Sequence, residues 1–184
     1  MKAFLTIFLL CFSFSLSAAD AMRIRAERIE QETVFTQHGT AFTLEDFVFT
    51  AYHVVDSKTS SIFIERKEGW IRCEVIYQDE KLDIAIIKPD LKTTPFIELD
   101  AKETGCIASI QGTPLKKLKY EFRNDKLYIE GYDVGGSGAP VFKDGEVLGM
   151  AVAYHPEDRA IKMVSVKRLL TAIREFKAGQ KSAD

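Results

Sequence analysis

"GYDVGGSGAPVF", residues 131–142, sets four glycines and one serine within eight residues and then runs into the apolar strand Ala139-Pro140-Val141-Phe142. Glycine opens backbone conformations closed to other residues, so the stretch reads either as a plain turn or as a backbone shaped around the hydroxyl of Ser137. In the second reading the N–H groups of Gly135 and Ser137 are aimed at a carbonyl oxygen that gains negative charge, the oxyanion hole that a serine nucleophile requires. Such a serine also needs a base within hydrogen-bond reach and a group that orients the base. The chain offers one candidate for each. His53 ends the apolar run "FVFTAYHVV" (47–55), and Asp83 stands at the mouth of "DIAIIK" (83–88), where a carboxylate is costly to bury without a partner.

Working outward from these positions, short alternating or apolar runs separated by turn residues fill the chain from 33 to 165, which is the pattern of an all-β domain. Strands are expected at 39–43, 46–50, 61–66, 71–78 and 83–88, then at 105–111, 117–123, 126–130, 139–143, 146–154 and 160–165. Asn124-Asp125 and Asp144-Gly145 mark tight hairpin turns. Between the two groups, "PDLKTTPFIELDAKETG" (89–105) carries two prolines and little periodicity, and reads as a connection. At the end of the chain, Leu169, Leu170, Ile173 and Phe176 share one helical face with Gly179 beyond it, so an amphipathic helix is expected over 166–179.

The first residues, "MKAFLTIFLLCFSFSLSAAD", have the form of an export signal: Lys2, an apolar core from Ala3 to Phe14, and Ser17-Ala18-Ala19 before the cut. The apolar run is short for a membrane span, so residues 1–19 are expected to be removed, leaving no span and a periplasmic or secreted protein. A net charge of −2 without a basic block gives no sign of a nucleic-acid surface. No cofactor motif is present, and His38, His53 and His155 have spacings that match no metal site. Cys73 and Cys106 would share an oxidising compartment. Their count allows a disulfide, while their alternation with apolar neighbours reads as two small buried side chains.

Taken together, the three motifs resemble those of the trypsin-like (chymotrypsin-fold) serine peptidases, closest to the bacterial Deg/HtrA-type branch. "GTAFTLEDFVFTAYHVV" (39–55) is similar to that family's strand, turn and Thr-Ala-x-His strand end. "KLDIAIIK" is similar to its Asp-bearing strand, and "GGSGAPVF" with "GEVLGM" to its serine block and following hairpin. The resemblance implies two packed six-stranded antiparallel β-barrels with a C-terminal α-helix: an N-terminal barrel over 20–92 carrying His53 and Asp83, a linker over 93–104, and a second barrel over 105–165 carrying Ser137. It implies His53 as general base, Asp83 as its orienting partner, Ser137 as nucleophile, and an exported endopeptidase acting on polypeptides.

By the same resemblance Gly131, Tyr132, Val134, Val152, Ala153 and Tyr154 would surround the pocket for the side chain before the scissile bond. No acidic residue stands at the first of these, so a demand for Lys or Arg is not expected. Two departures stand out: Gly136 occupies a position usually held by Asn in Deg/HtrA proteins, and no room follows the helix for their PDZ domain. A catalytically silent relative that binds polypeptide is the alternative. An α/β-hydrolase esterase is excluded because Ala139 breaks G-x-S-x-G and the histidine and aspartate precede the serine.

Overall fold

The computed structural model describes residues 21–56, 58–67, 69–89 and 104–181. The expected leader and all but the last residue of the expected linker lie outside them. Within them the chain is mostly β, with one helix at its C-terminal end.

The described residues begin with a strand that the sequence reading omits. In β1 (Ala21–Glu30), Met22, Ile24 and Ala26 are buried and alternate with Arg23, Arg25 and Glu27, the period of a half-buried strand. It pairs over its full length with β2 (Thr33–Leu44), which begins six residues before the expected Gly39. Gln31 and Glu32 turn the hairpin with positive φ at both positions. The sheet continues through β3 (Phe47–Thr50), β6 (Ile84–Pro89), β5 (Gly69–Asp79) and β4 (Ser61–Arg66), which returns to β1, so six strands form a closed barrel. Its interior is filled by Ile24, Phe42, Phe49, Ile64, Ile84 and Ile86, all fully buried.

The second sheet has seven strands in the order β8-β7-β11-β12-β13-β10-β9. These are β7 (Gly105–Ala108), β8 (Lys116–Leu118), β9 (Tyr120–Arg123), β10 (Lys126–Ile129), β11 (Ala139–Lys143), β12 (Glu146–His155) and β13 (Ala160–Ser165). The run expected as a single strand over 117–123 is broken at Lys119 into β8 and β9. Those two pieces form opposite edges of the sheet. The sheet therefore curls until its two edges are joined through Lys119, a nearly closed seven-stranded barrel in which β8 and β9 follow each other in the chain without pairing. The expected hairpin turns are present, with positive φ at Asn124, Asp125, Asp144 and Gly145.

Helix α1 (Val166–Lys181) runs two residues beyond the expected end and includes Gly179 in its last turns. Leu169, Ala172 and Ile173 are buried in the cluster that also holds the first barrel's core, and the Phe176 ring meets Phe47 edge-on at 5.8 Å. The Tyr77 hydroxyl donates to Glu175 at 2.6 Å, so the helix also grips the outside of β5. No helix among the described residues is long and apolar enough to cross a membrane. Cys73 and Cys106 are both buried, one in each barrel, and no disulfide joins them.

Candidate active site

His53 lies in a 3-10 turn (Tyr52–Val54) that ends the apolar strand β3. Asp83 lies in the turn before β6, in the left-handed region at φ 59, which aspartate tolerates better than most side chains. Two neighbouring strands of the first barrel thus bring the two turns together. The backbone N–H of Tyr52 donates to the Asp83 carbonyl at 3.2 Å. One carboxylate oxygen of Asp83 accepts from the His53 backbone N–H at 2.9 Å, and the other lies 2.8 Å from His53 Nδ1. Burial raises the Asp83 pKa, but the hydrogen bonds from the His53 ring and backbone outweigh it and hold the carboxyl below its ordinary value. An ionised carboxylate only accepts. A proton therefore sits on Nδ1, which makes Nε2 the nitrogen left to act as a base when the ring carries one proton.

Ser137 comes from the second barrel, on the loop that leads into β11. Gly135 (φ 95) and Gly138 (φ 88) both need the left-handed region, and both are pressed against backbone. A Cβ at Gly135 would lie 2.3 Å from the Ser109 carbonyl oxygen, and one at Gly138 would lie 2.0 Å from that of Thr40. The loop is tied down on both sides: the Thr40 N–H donates to the Ser137 carbonyl at 2.9 Å, and the Gly138 N–H to that of Ala151 at 2.8 Å. The Gln111 N–H donates to the Val134 carbonyl at 2.5 Å, turning that carbonyl away. Among the described residues nothing accepts from the N–H of Gly135 or of Ser137. The backbone donors of Gly135 and Ser137, on either side of Gly136, are thus left without an acceptor among the described residues.

Ser137 and His53 line one cleft of about 670 Å³ between the barrels. No hydrogen bond joins their side chains, and the Ser137 hydroxyl lies beside that of Tyr132. Of the positions expected around the substrate side chain, Tyr132, Val134 and Tyr154 line the cleft, Val134 as a rim residue 72% exposed. Gly131 lines a neighbouring cavity, Val152 is fully buried, and Ala153 packs on the core. The opposite wall comes from the β1–β2 hairpin: Arg28, Phe35, Gln37 and His38. Burial, with help from Arg23 and Arg25, lowers the His38 pKa and keeps that ring neutral. The Gln37 amide also donates to the His53 carbonyl at 3.3 Å.

Sequence reasoning missed a buried polar cluster behind the serine loop. The Thr40 hydroxyl donates to the Gly135 carbonyl at 3.1 Å and accepts from the Ser109 N–H at 2.9 Å, while the Thr50 hydroxyl donates to the Thr40 carbonyl at 2.9 Å. All three side chains are fully buried. The available signal was Thr40 itself, a polar residue inside an otherwise core-facing run.

No family model and no curated protein sequence matches the chain. Solved structures do. The Rv3671c protease of M. tuberculosis in its active form superposes with a TM-score of 0.65 at 16% identity, over 85% of this chain and 80% of that one. A serine-to-alanine variant of the HtrA-type protease AlgW, solved with a tripeptide, gives 0.63 at 16% identity, over 87% of this chain and 60% of that one. The fold is that of the trypsin-like serine proteases. At such identity the match extends to the trypsin-like architecture and no further. His53 and Ser137 line the cleft between the barrels, and Asp83 is hydrogen-bonded to His53.

Proposed function

We propose that the protein is an exported serine endopeptidase that cleaves polypeptides through an acyl-enzyme. The observation that carries this reading is the His53–Asp83 pair, doubly hydrogen-bonded and opening on the same cleft as Ser137. In the proposed reaction Ser137 Oγ attacks the scissile carbonyl while His53 Nε2 takes its proton, and Asp83 holds Nδ1–H and stabilises the imidazolium that forms. The oxygen of the tetrahedral intermediate accepts from the N–H groups of Gly135 and Ser137. His53 then protonates the leaving amine, and water repeats the sequence to release the acid. A serine side chain has a single torsion between its wells, so its hydroxyl can exchange Tyr132 for His53 as neighbour once substrate enters.

Export rests on the leader-like residues 1–19, with β1 beginning just after the expected cut. The absent Ser137–His53 hydrogen bond favours the second reading, a silent relative that binds polypeptide in the cleft. Hydrolysis of a casein or peptide-library substrate separates the two. The mature chain is expected to cleave and its Ser137→Ala variant to be inert with an unchanged melting curve. Cleavage retained in Ser137→Ala would mean that another residue is the nucleophile.

A further inference from the structure

Tyr132 stands between two cavities. The cleft with Ser137 and His53 lies on one side, and a cavity of about 640 Å³ lies on the other, lined among others by Lys119, Tyr128 and Arg159. Both are walled by Tyr132 and Tyr154. The Tyr132 ring packs against the second barrel's core cluster around Cys106 and Ala139. It is also pressed on the serine loop, since a Cβ at Gly136 would come within 2.5 Å of its Cε2 and 2.8 Å of its Cζ. This accounts for Gly136, because an Asn there would collide with the ring. The Tyr132 hydroxyl is buried beside the hydroxyl of Ser137.

A carbonyl whose oxygen reaches the N–H groups of Gly135 and Ser137 has its carbon over Ser137 Oγ. The side chain on the acyl side of that carbonyl then begins at a Cβ two bonds away, near the space the ring fills. The remaining open volume runs toward the β1–β2 hairpin. We propose that Tyr132 is a specificity-determining partition: it closes the cleft on the acyl side and limits the residue before the scissile bond to Gly, Ala or Ser. The inference rests on Ser137 being the nucleophile. Removing the ring joins the two cavities and opens room for large side chains.

The test is a positional-scanning peptide library, with cleavage sites read by mass spectrometry and kcat/KM measured for matched Ala, Leu and Phe substrates. Wild type is expected to cut after Ala at least about tenfold faster than after Leu or Phe, the scale on which a pocket rejects added bulk. Tyr132→Phe keeps the ring and is expected to keep that ratio. Tyr132→Ala is expected to bring Leu and Phe level with Ala or above it. Wild type cutting equally well after Leu and Ala would overturn the proposal, and so would a Tyr132→Ala variant with unaltered preference. Because the wild-type arm suffices alone, a variant that fails to fold leaves the proposal exposed to disproof. A folded wild type that neither cleaves nor labels with a fluorophosphonate removes the nucleophile reading and this inference together; labelling and cleavage without a size preference remove only the inference.

Discussion

Asp83 is held by two hydrogen bonds from one residue, the ring and the backbone of His53, and it occupies a left-handed turn position that asparagine also accepts. Asp83→Asn is therefore expected to preserve the turn while losing the preference for a proton on Nδ1. Steady-state hydrolysis should fall by about 10⁴-fold, the loss seen when a triad aspartate is neutralised, and a loss below about tenfold would contradict the role. The same hydrogen bonds depress the folded-state pKa of Asp83. The stabilisation they bring is complete above the ordinary carboxylate value, about pH 4, and is lost as pH falls through the lower folded value. In urea unfolding below about pH 4, wild type should lose stability more steeply than Asp83→Asn; parallel curves would contradict it. The pairing of His53 with Asp83, and the cleft that His53 shares with Ser137, were legible because each residue sits in a short local motif. Thr40 and Tyr132 were not legible in the same way. Their importance lies in what packs against them, the Gly135 carbonyl and the Gly136 backbone, which are 95 and 4 positions away.

Among the elements, the strands that were read correctly are those with a buried alternation bounded by turn residues, such as Ser61–Arg66 and Ala160–Ser165. β1 carries the same alternation, yet its arginines and glutamates and its place after the leader-like sequence of residues 1–19 mask it. The outer part of β2 is exposed on almost every residue from Thr33 to Gln37, so hydrophobic pattern says nothing there and only pairing with β1 defines the strand. Helix α1 was legible from its apolar face, but its task was not: Leu169 and Ile173 enter the cluster that holds the first barrel's core, although the helix follows the second. Leu169 is fully buried. Leu169→Ala is expected to cost about 2–5 kcal/mol of stability, measured by urea unfolding, with the first barrel losing protection along with the second in hydrogen exchange. A loss confined to the C-terminal turns would contradict the clamp.

Across the whole molecule, the candidate site is divided between the two barrels. The first supplies His53 and Asp83, the second supplies Ser137 and the free N–H groups, and Thr40 of the first barrel hydrogen-bonds the Ser137 and Gly135 carbonyls across the join. The division into two groups of strands was legible in the sequence because strand-like runs fall on either side of a proline-containing connection, whereas their closure into two barrels came only from the resemblance of the motifs. Closure of the second barrel through the break at Lys119 was not legible, because "KLKYEFR" has no interruption that a sequence pattern registers. A site built across an interface functions only when both halves are docked, so a reagent that reacts with an activated serine reports on the whole assembly at once. The most direct measurement is fluorophosphonate labelling of the purified mature chain, with the adduct located by mass spectrometry and with Ser137→Ala and His53→Ala alongside. A single adduct on Ser137 in wild type, absent from both variants, is the predicted result; a folded wild type that stays unlabelled, or labelling that survives in Ser137→Ala, would contradict it.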